Sequence, residues 1–285
     1  MAINKIAVIG SGTMGNGIAH VFAQNGYKVD LIDITKDLLD KALKTISSNL
    51  DRMIKKEIIT ETDKSNTLAS INFVIGIENT ASDYDLVIEA VTEDENIKKK
   101  VFQLIDAKLN KDCILASNTS SIPITLLAAF TSRPDKFIGM HFMNPVPMMK
   151  LVEIIRGYST SNETYEIIKE LTLKIGKTPA EVNDYPGFVS NRVLMPMINE
   201  AVYCVYEGVA NAENIDTVMK LGMNHPMGPL TLADFIGLDV CLSILDVLYD
   251  GFRDPKYRAC PLLRKMVSAG KLGKKSGEGF YNYKK

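Results

Sequence analysis

Residues 5–33, KIAVIGSGTMGNGIAHVFAQNGYKVDLID, decide the fold. A short β-rich run, Lys5–Ile9, ends in Gly10-Ser11-Gly12-Thr13-Met14-Gly15. Helical spacing follows over Thr13–Gln24 and stops at Asn25-Gly26, a C-terminal helix signal. Lys28–Asp33 (KVDLID) reads as a second strand. A G-x-G-x-x-G turn between a strand and a helix has a specific physical use. Gly10 permits the tight turn, Gly12 lets a pyrophosphate approach bare backbone, and Gly15 lets the helix pack close to the strand. The helix N-terminus then faces the phosphates with its partial positive charge. Asp33 follows Gly15 by 18 residues, where an acid hydrogen-bonds a ribose 2′-hydroxyl and repels a 2′-phosphate. The pattern therefore predicts NAD rather than NADP. A ligand-free glycine turn is the competing reading, and the strand, helix and acid together argue against it.

Outward from this unit the alternation continues. A long polar helix spans residues 36–56, a strand 85–91 (DLVIEAV), a helix 96–109 and a strand 113–117 (CILAS). Phe137–Phe142 (FIGMHF) is a further strand, and residues 151–155 and 177–182 extend the sheet. Strands separated by helices predict an α/β fold, a doubly wound, Rossmann-type parallel sheet with helices on both faces. After residues 183–187 (NDYPG) the pattern turns helical: 188–206, 215–221, 230–249 and 262–269, separated by glycines and prolines. Pro196 falls inside the first of these and is expected to kink it or remove a backbone bond. Two domains follow, a dinucleotide-binding domain over residues 1–184 and an all-α domain over 185–285.

The 285 residues carry 46% hydrophobic and 24% charged side chains, which excludes disorder. Lys and Arg number 33 against 34 Asp and Glu, so the basic excess expected of a nucleic-acid binder is missing. The four cysteines form no CxxC pair and have no histidine at metal-ligand spacing, which argues against zinc and against a disulfide framework. Reduced thiols, no apolar run of membrane-span length and no signal-like N-terminus predict a cytoplasmic protein with neither membrane nor nucleic-acid partner.

The chain has three histidines, His20, His141 and His225. His141 ends FIGMHF, and ligands of open α/β sheets bind at the carboxyl ends of strands. A near-neutral pKa suits histidine to taking a proton from an alcohol. Glu153 lies 12 residues on, in the otherwise apolar LVEII, where a carboxylate is costly unless paired. Pairing to His141 would fix the imidazole tautomer and stabilise the imidazolium. A satisfied core histidine is the alternative. His20, on the first helix, and His225, in a Pro/Gly loop, read as structural. The hydroxyls of Ser117-Asn118-Thr119-Ser120-Ser121 either hold a substrate oxygen or nicotinamide ribose, or cap a helix. Asn191 either donates to a substrate carbonyl or makes a local turn contact. Arg52, Lys55 and Lys56 form a small basic face, and Lys271, Lys274 and Lys275 another. Each is either a solvated surface or a clamp for a phosphorylated ligand.

Taken together, GSGTMG (10–15), SNTSS (117–121), HFMNPVPMMKLVEI (141–154), DYPGFVSNR (184–192), MGPLTLADFIGLD (227–239) and GKKSGEGFYNY (273–283) resemble the 3-hydroxyacyl-CoA dehydrogenase family, most nearly its short-chain 3-hydroxybutyryl-CoA branch. The resemblance implies NAD-dependent interconversion of (S)-3-hydroxybutanoyl-CoA and acetoacetyl-CoA, in butanoate and fatty-acid metabolism, with coenzyme A as part of the substrate. His141 is then the catalytic base and Glu153 its partner. Ser120 contacts the substrate oxygen and cofactor, and Asn191 polarises the 3-oxo group. NAD contacts fall on Asp33, Glu93, Lys98, Asn144 and Lys275 besides the glycine turn, and a coenzyme A phosphate contact on Lys56. The chain is expected to lack a fused hydratase portion. Apart from the resemblance, the apolar stretch 230–248 (LTLADFIGLDVCLSILDVL) either mediates a homodimer or higher oligomer or is an internal core helix. Two other readings remain, a dehydrogenase of a free 3-hydroxy acid or sugar acid on the same fold, and a non-catalytic NAD-binding protein.

Overall fold

The computed structural model describes residues 3–284. It divides into two compact units, one up to Asp184 and one from Tyr185 on. The first is a Rossmann-type α/β unit. Its strands are β1 (Lys5–Ile9), β2 (Lys28–Asp33), β3 (Ile71–Ile75), β4 (Leu86–Glu89), β5 (Ile114–Ser117), β6 (Phe137–Phe142), β7 (Leu151–Arg156) and β8 (Thr178–Asn183). They form one sheet in the order β3-β2-β1-β4-β5-β6-β7-β8. Every residue of β4, β5 and β6 is buried, as expected of strands covered on both faces.

The helices of this unit are α1 (Thr13–Gln24), α2 (Lys36–Lys55), α3 (Glu61–Ala69), α4 (Glu95–Asp106), α5 (Ile124–Ala128) and α6 (Asn162–Lys174). Side chains of Thr35, Thr60, Asp94 and Ser161 cap α2, α3, α4 and α6 by accepting an otherwise unpaired N–H of the first turn. Ile18 and Phe22 of α1 and Leu39, Ile46 and Leu50 of α2 join Ile6, Val8, Leu31 and Ile88 of the sheet in one core.

The structure departs from an all-parallel sheet at one pair. β7 runs antiparallel to β6, and β8 is parallel to β7. Parallel neighbours need a crossover of roughly a dozen residues or more. Only residues 143–150 join β6 to β7, so the chain returns antiparallel.

The second unit is helical: α7 (Ser190–Tyr206, with Pro196 inside it), α8 (Ala212–Thr217) running into a π-helical turn at Val218–Gly222, α9 (Pro229–Ile236), α10 (Leu238–Phe252) and α11 (Pro261–Ser268). The single helix read over 230–249 is two, because Gly237 takes φ 106° between α9 and α10 and the Leu238 N–H bonds to the Leu272 carbonyl. Met195, Ile198, Val202, Leu230, Leu238, Leu245 and Leu263 form its core. Two buried carboxylates organise it. Asp216 accepts the Leu230 and Thr231 N–H groups at the start of α9 (2.8 and 2.9 Å) and the Tyr281 hydroxyl (2.8 Å). Asp234 accepts the Phe280 and Tyr281 N–H groups (3.0 and 2.9 Å), which docks the C-terminal tail. Burial pushes the Asp234 carboxyl above its usual range, with those N–H groups opposing.

Candidate active site

The carboxyl ends of β1, β2, β4, β5 and β6 share one edge of the sheet, because these strands are mutually parallel. At β1 the chain turns through Gly10 with φ 96°, a conformation that favours glycine. A Cβ on Gly15 would lie 1.7 Å from the Gly10 carbonyl oxygen, so α1 packs against the turn only with glycine there. A Cβ on Gly12 would meet nothing within 4 Å. The backbone beside Gly12 is thus open, and no side chain caps the α1 N-terminus. Its first-turn N–H groups, including those of Thr13 and Met14, can therefore bind an anion.

Asp33 stands at the end of β2. Its Oδ2 accepts both the N–H and the hydroxyl of Ser11 (2.6 Å each), and its Oδ1 accepts the Ile34 N–H (2.7 Å). The second residue of the glycine turn thus fixes this carboxylate. Open backbone, uncapped helix terminus and oriented acid together fit a dinucleotide without a 2′-phosphate.

His141 and Glu153 are directly paired across β6 and β7, with Nδ1 2.8 Å from Oε2. Both are buried, at 8% and 2% exposure. A carboxylate only accepts hydrogen bonds, so this pairing places an imidazole proton on Nδ1. Asn118 ties the neighbouring strand ends together: its Oδ1 accepts the Phe142 N–H (2.9 Å) and its N–H bonds to the Glu89 carbonyl (2.8 Å). The SNTSS segment and His141 are thereby held at the same edge. Asn144 is the second residue of the return segment, and its bond to Pro145 is cis. Lys177 donates to the Val146 and Met149 carbonyls (2.5 and 2.6 Å), and burial lowers its pKa.

Glu93 gathers the serine segment. Its Oε1 accepts from the Thr119 hydroxyl, the Ser120 and Ser121 N–H groups and the Ser121 hydroxyl, at 2.5–3.0 Å, with the Ser120 hydroxyl at 3.4 Å. Burial works against its charge, but the Lys98 cation and these donors outweigh it and hold the carboxyl below its usual range. Lys98 is 1% exposed and pairs with both Glu89 (2.6 Å) and Glu93 (3.2 Å). Glu89 was not legible as part of the site, although its signal is the one that marks Glu153, an acid closing an apolar run (LVIE). Burial pushes the Glu89 carboxyl up, opposed by Lys98, Ser117 and the Val91 N–H.

Lys56 is the exposed C-cap of α2. That helix starts just after Asp33 and is about 30 Å long at 1.5 Å per residue, which separates Lys56 from the glycine turn. In the second unit, Asn191 is buried in the first turn of α7, and Lys275 pairs with Asp239 at 2.6 Å. His225 lies between α8 and α9, outside any helix or strand. His20 is fully buried in α1. Among the described residues no group of three or more His, Cys, Asp or Glu side chains could hold a metal ion. No helix there is long and apolar enough to cross a membrane.

Residues 5–185 match the family model "3-hydroxyacyl-CoA dehydrogenase, NAD binding domain", and residues 187–283 match "3-hydroxyacyl-CoA dehydrogenase, C-terminal domain". The chain belongs to the 3-hydroxyacyl-CoA dehydrogenase family. The first unit of this oxidoreductase is accordingly an NAD-binding domain. A 3-hydroxybutyryl-CoA dehydrogenase of Bradyrhizobium diazoefficiens is 54% identical, over 99% of this chain and 96% of its own. One of Clostridioides difficile is 53% identical, over 99% of this chain and all of its own. The crystal structure of an (S)-3-hydroxybutyryl-CoA dehydrogenase from Ralstonia eutropha matches with a TM-score of 0.97 and 51% identity, covering both chains fully.

Proposed function

We propose that this member of the family interconverts (S)-3-hydroxybutanoyl-CoA and acetoacetyl-CoA, within butanoate and fatty-acid metabolism. The observation that carries the reading is the buried His141–Glu153 pair at the carboxyl edge of an NAD-binding sheet. NAD, when bound, supplies the hydride chemistry. The glycine turn, the α1 N-terminus and Asp33 hold it, with Glu93, Lys98, Asn144 and Lys275 assigned supporting contacts. In oxidation, His141 Nε2 takes the proton of the 3-hydroxyl. Glu153 holds the Nδ1 proton and stabilises the imidazolium that forms. In reduction the imidazolium returns the proton. Ser120 and Asn191 hold the substrate oxygen while charge develops on it. Lys56 is assigned to the coenzyme A phosphates. We place the enzyme in the cytoplasm, as a homodimer or higher homo-oligomer assembled through its helical unit.

The test is absorbance at 340 nm with NADH and either acetoacetyl-CoA or free acetoacetate. Rapid NADH oxidation with the thioester alone supports the reading. Equal or better turnover of the free acid would replace it with a dehydrogenase of free 3-hydroxy acids. No oxidation with either would leave a non-catalytic NAD-binding protein.

A further inference from the structure

Behind the serine segment lies a chain of charges that the proposed mechanism does not use directly. Glu89 closes β4 and is fully buried. Its Oε2 accepts the Ser117 hydroxyl (2.6 Å), and its Oε1 accepts the Val91 N–H (2.7 Å) and the Lys98 ammonium (2.6 Å). Lys98 extends from α4, also reaches the Val91 carbonyl at 3.5 Å, and contacts Glu93 Oε2. Glu93 then presents its other oxygen to Thr119, Ser120 and Ser121. The Ser117 hydroxyl closes the circuit by accepting the Thr119 N–H (3.2 Å). Two carboxylates thus bracket one ammonium, and the ends of β4, β5 and α4 meet in one hydrogen-bonded ring.

Stability alone is a poor explanation of such a ring. Removing the Glu89 carboxylate and the Lys98 ammonium from water is expensive, and well-packed apolar residues of similar size commonly match or exceed the stability of a buried ion pair. The ring does supply direction. Lys98 has no freedom to turn away from Glu93 while Glu89 holds its other side. Glu93 in turn has one oxygen fixed by a cation and the other by five donors. The backbone N–H and hydroxyl of Ser120 are two of those five.

We propose that Glu89 and Lys98 are positioning residues that act through Glu93 to fix the Ser120 hydroxyl for the reaction. The inference rests on the role assigned to Ser120 above. The variants Glu89→Gln, Ser120→Ala and the two combined are compared by kcat and KM with NADH and acetoacetyl-CoA. A shift of an ångström in a reacting group can cost up to about 10²-fold, so Glu89→Gln is expected to lower kcat by about tenfold or more, with KM changing less. Residues that act as one unit are not additive, so in the Ser120→Ala background the same change should cost at most about twofold. Equal losses in both backgrounds, or full turnover in Glu89→Gln, overturn the proposal. Wild-type turnover in Ser120→Ala alone overturns the serine's role, and this inference with it. The double variant Glu89→Gln/Lys98→Met leaves no buried charge unpaired and covers the case in which Glu89→Gln does not fold. It should show the same Ser120-dependent loss, and undiminished kcat in it also overturns the proposal.

Discussion

His141 and Glu153 face each other across the one antiparallel pair in the sheet, with Nδ1 2.8 Å from Oε2. His141→Gln should retain NADH binding by fluorescence titration and lose about 10²–10⁴-fold in kcat, the usual worth of a positioned acid or base. Glu153→Gln should lose about 10²-fold or more, because an amide neither selects the tautomer nor stabilises the imidazolium. Unimpaired turnover in His141→Gln would remove the imidazole from the mechanism.

Gly12 and Gly15 should separate binding from folding. Gly12 has φ −60°, which alanine adopts freely, and open space where its Cβ would go. Gly12→Ala is expected to keep the wild-type Tm while NADH affinity falls by about tenfold, since the methyl occupies the phosphate approach. Gly15→Ala would drive a Cβ into the Gly10 carbonyl and should lower Tm by several degrees, consistent with about 1–3 kcal/mol of overpacking strain. A Gly12→Ala protein that binds NADH normally would contradict the assignment of this turn.

Asp33→Ala removes the acceptor held by Ser11 and the negative charge that repels a 2′-phosphate. The ratio of kcat/KM for NADH over NADPH should fall by at least about tenfold, as expected if the acid sets the preference. An unchanged ratio would mean that another group discriminates.

His20 should make the fold acid-sensitive. Burial, opposed by the Gln24 side chain and reinforced by the Lys177 cation, lowers its pKa from 6.5 to about 4. Between these values the unfolded chain binds a proton that the folded protein does not, so stability is full above pH 6.5 and falls as pH drops toward 4. The total loss is on the order of 3 kcal/mol, at 1.36 kcal/mol per unit. His20→Leu removes the titrating ring and leaves an apolar side chain in its fully buried place. Urea unfolding at pH 7 and pH 5 should show a smaller stability difference in His20→Leu than in wild type. An equal difference would place the acid sensitivity elsewhere.

The first βαβ unit was legible because each of its signals is local: an apolar run, a glycine turn, helical spacing and a terminal acid. The His141–Glu153 pair was legible for a different reason, since a carboxylate inside LVEII demands a buried partner. α3, β3 and α6 were not singled out. α3 and α6 are polar helices whose caps, Thr60 and Ser161, resemble ordinary loop residues, and INFVI of β3 lies at the sheet edge. The break at Gly237 was hidden because apolar spacing continues on both sides of it. Glu89 escaped notice, and Lys98 entered only through the family resemblance as an NAD contact, because their pairing depends on a strand end, a helix and a loop meeting, which no single stretch of sequence records.

The pairing of β6 with β7 also sets which changes the enzyme can absorb. A one-residue slip would put Val152 or Ile154 opposite His141 and turn Glu153 to the other face. Insertions or deletions confined to residues 143–150 leave that alignment intact as long as the ladder holds. This connecting segment can therefore change in length while the His141–Glu153 pair stays in register through the backbone hydrogen bonds of the ladder.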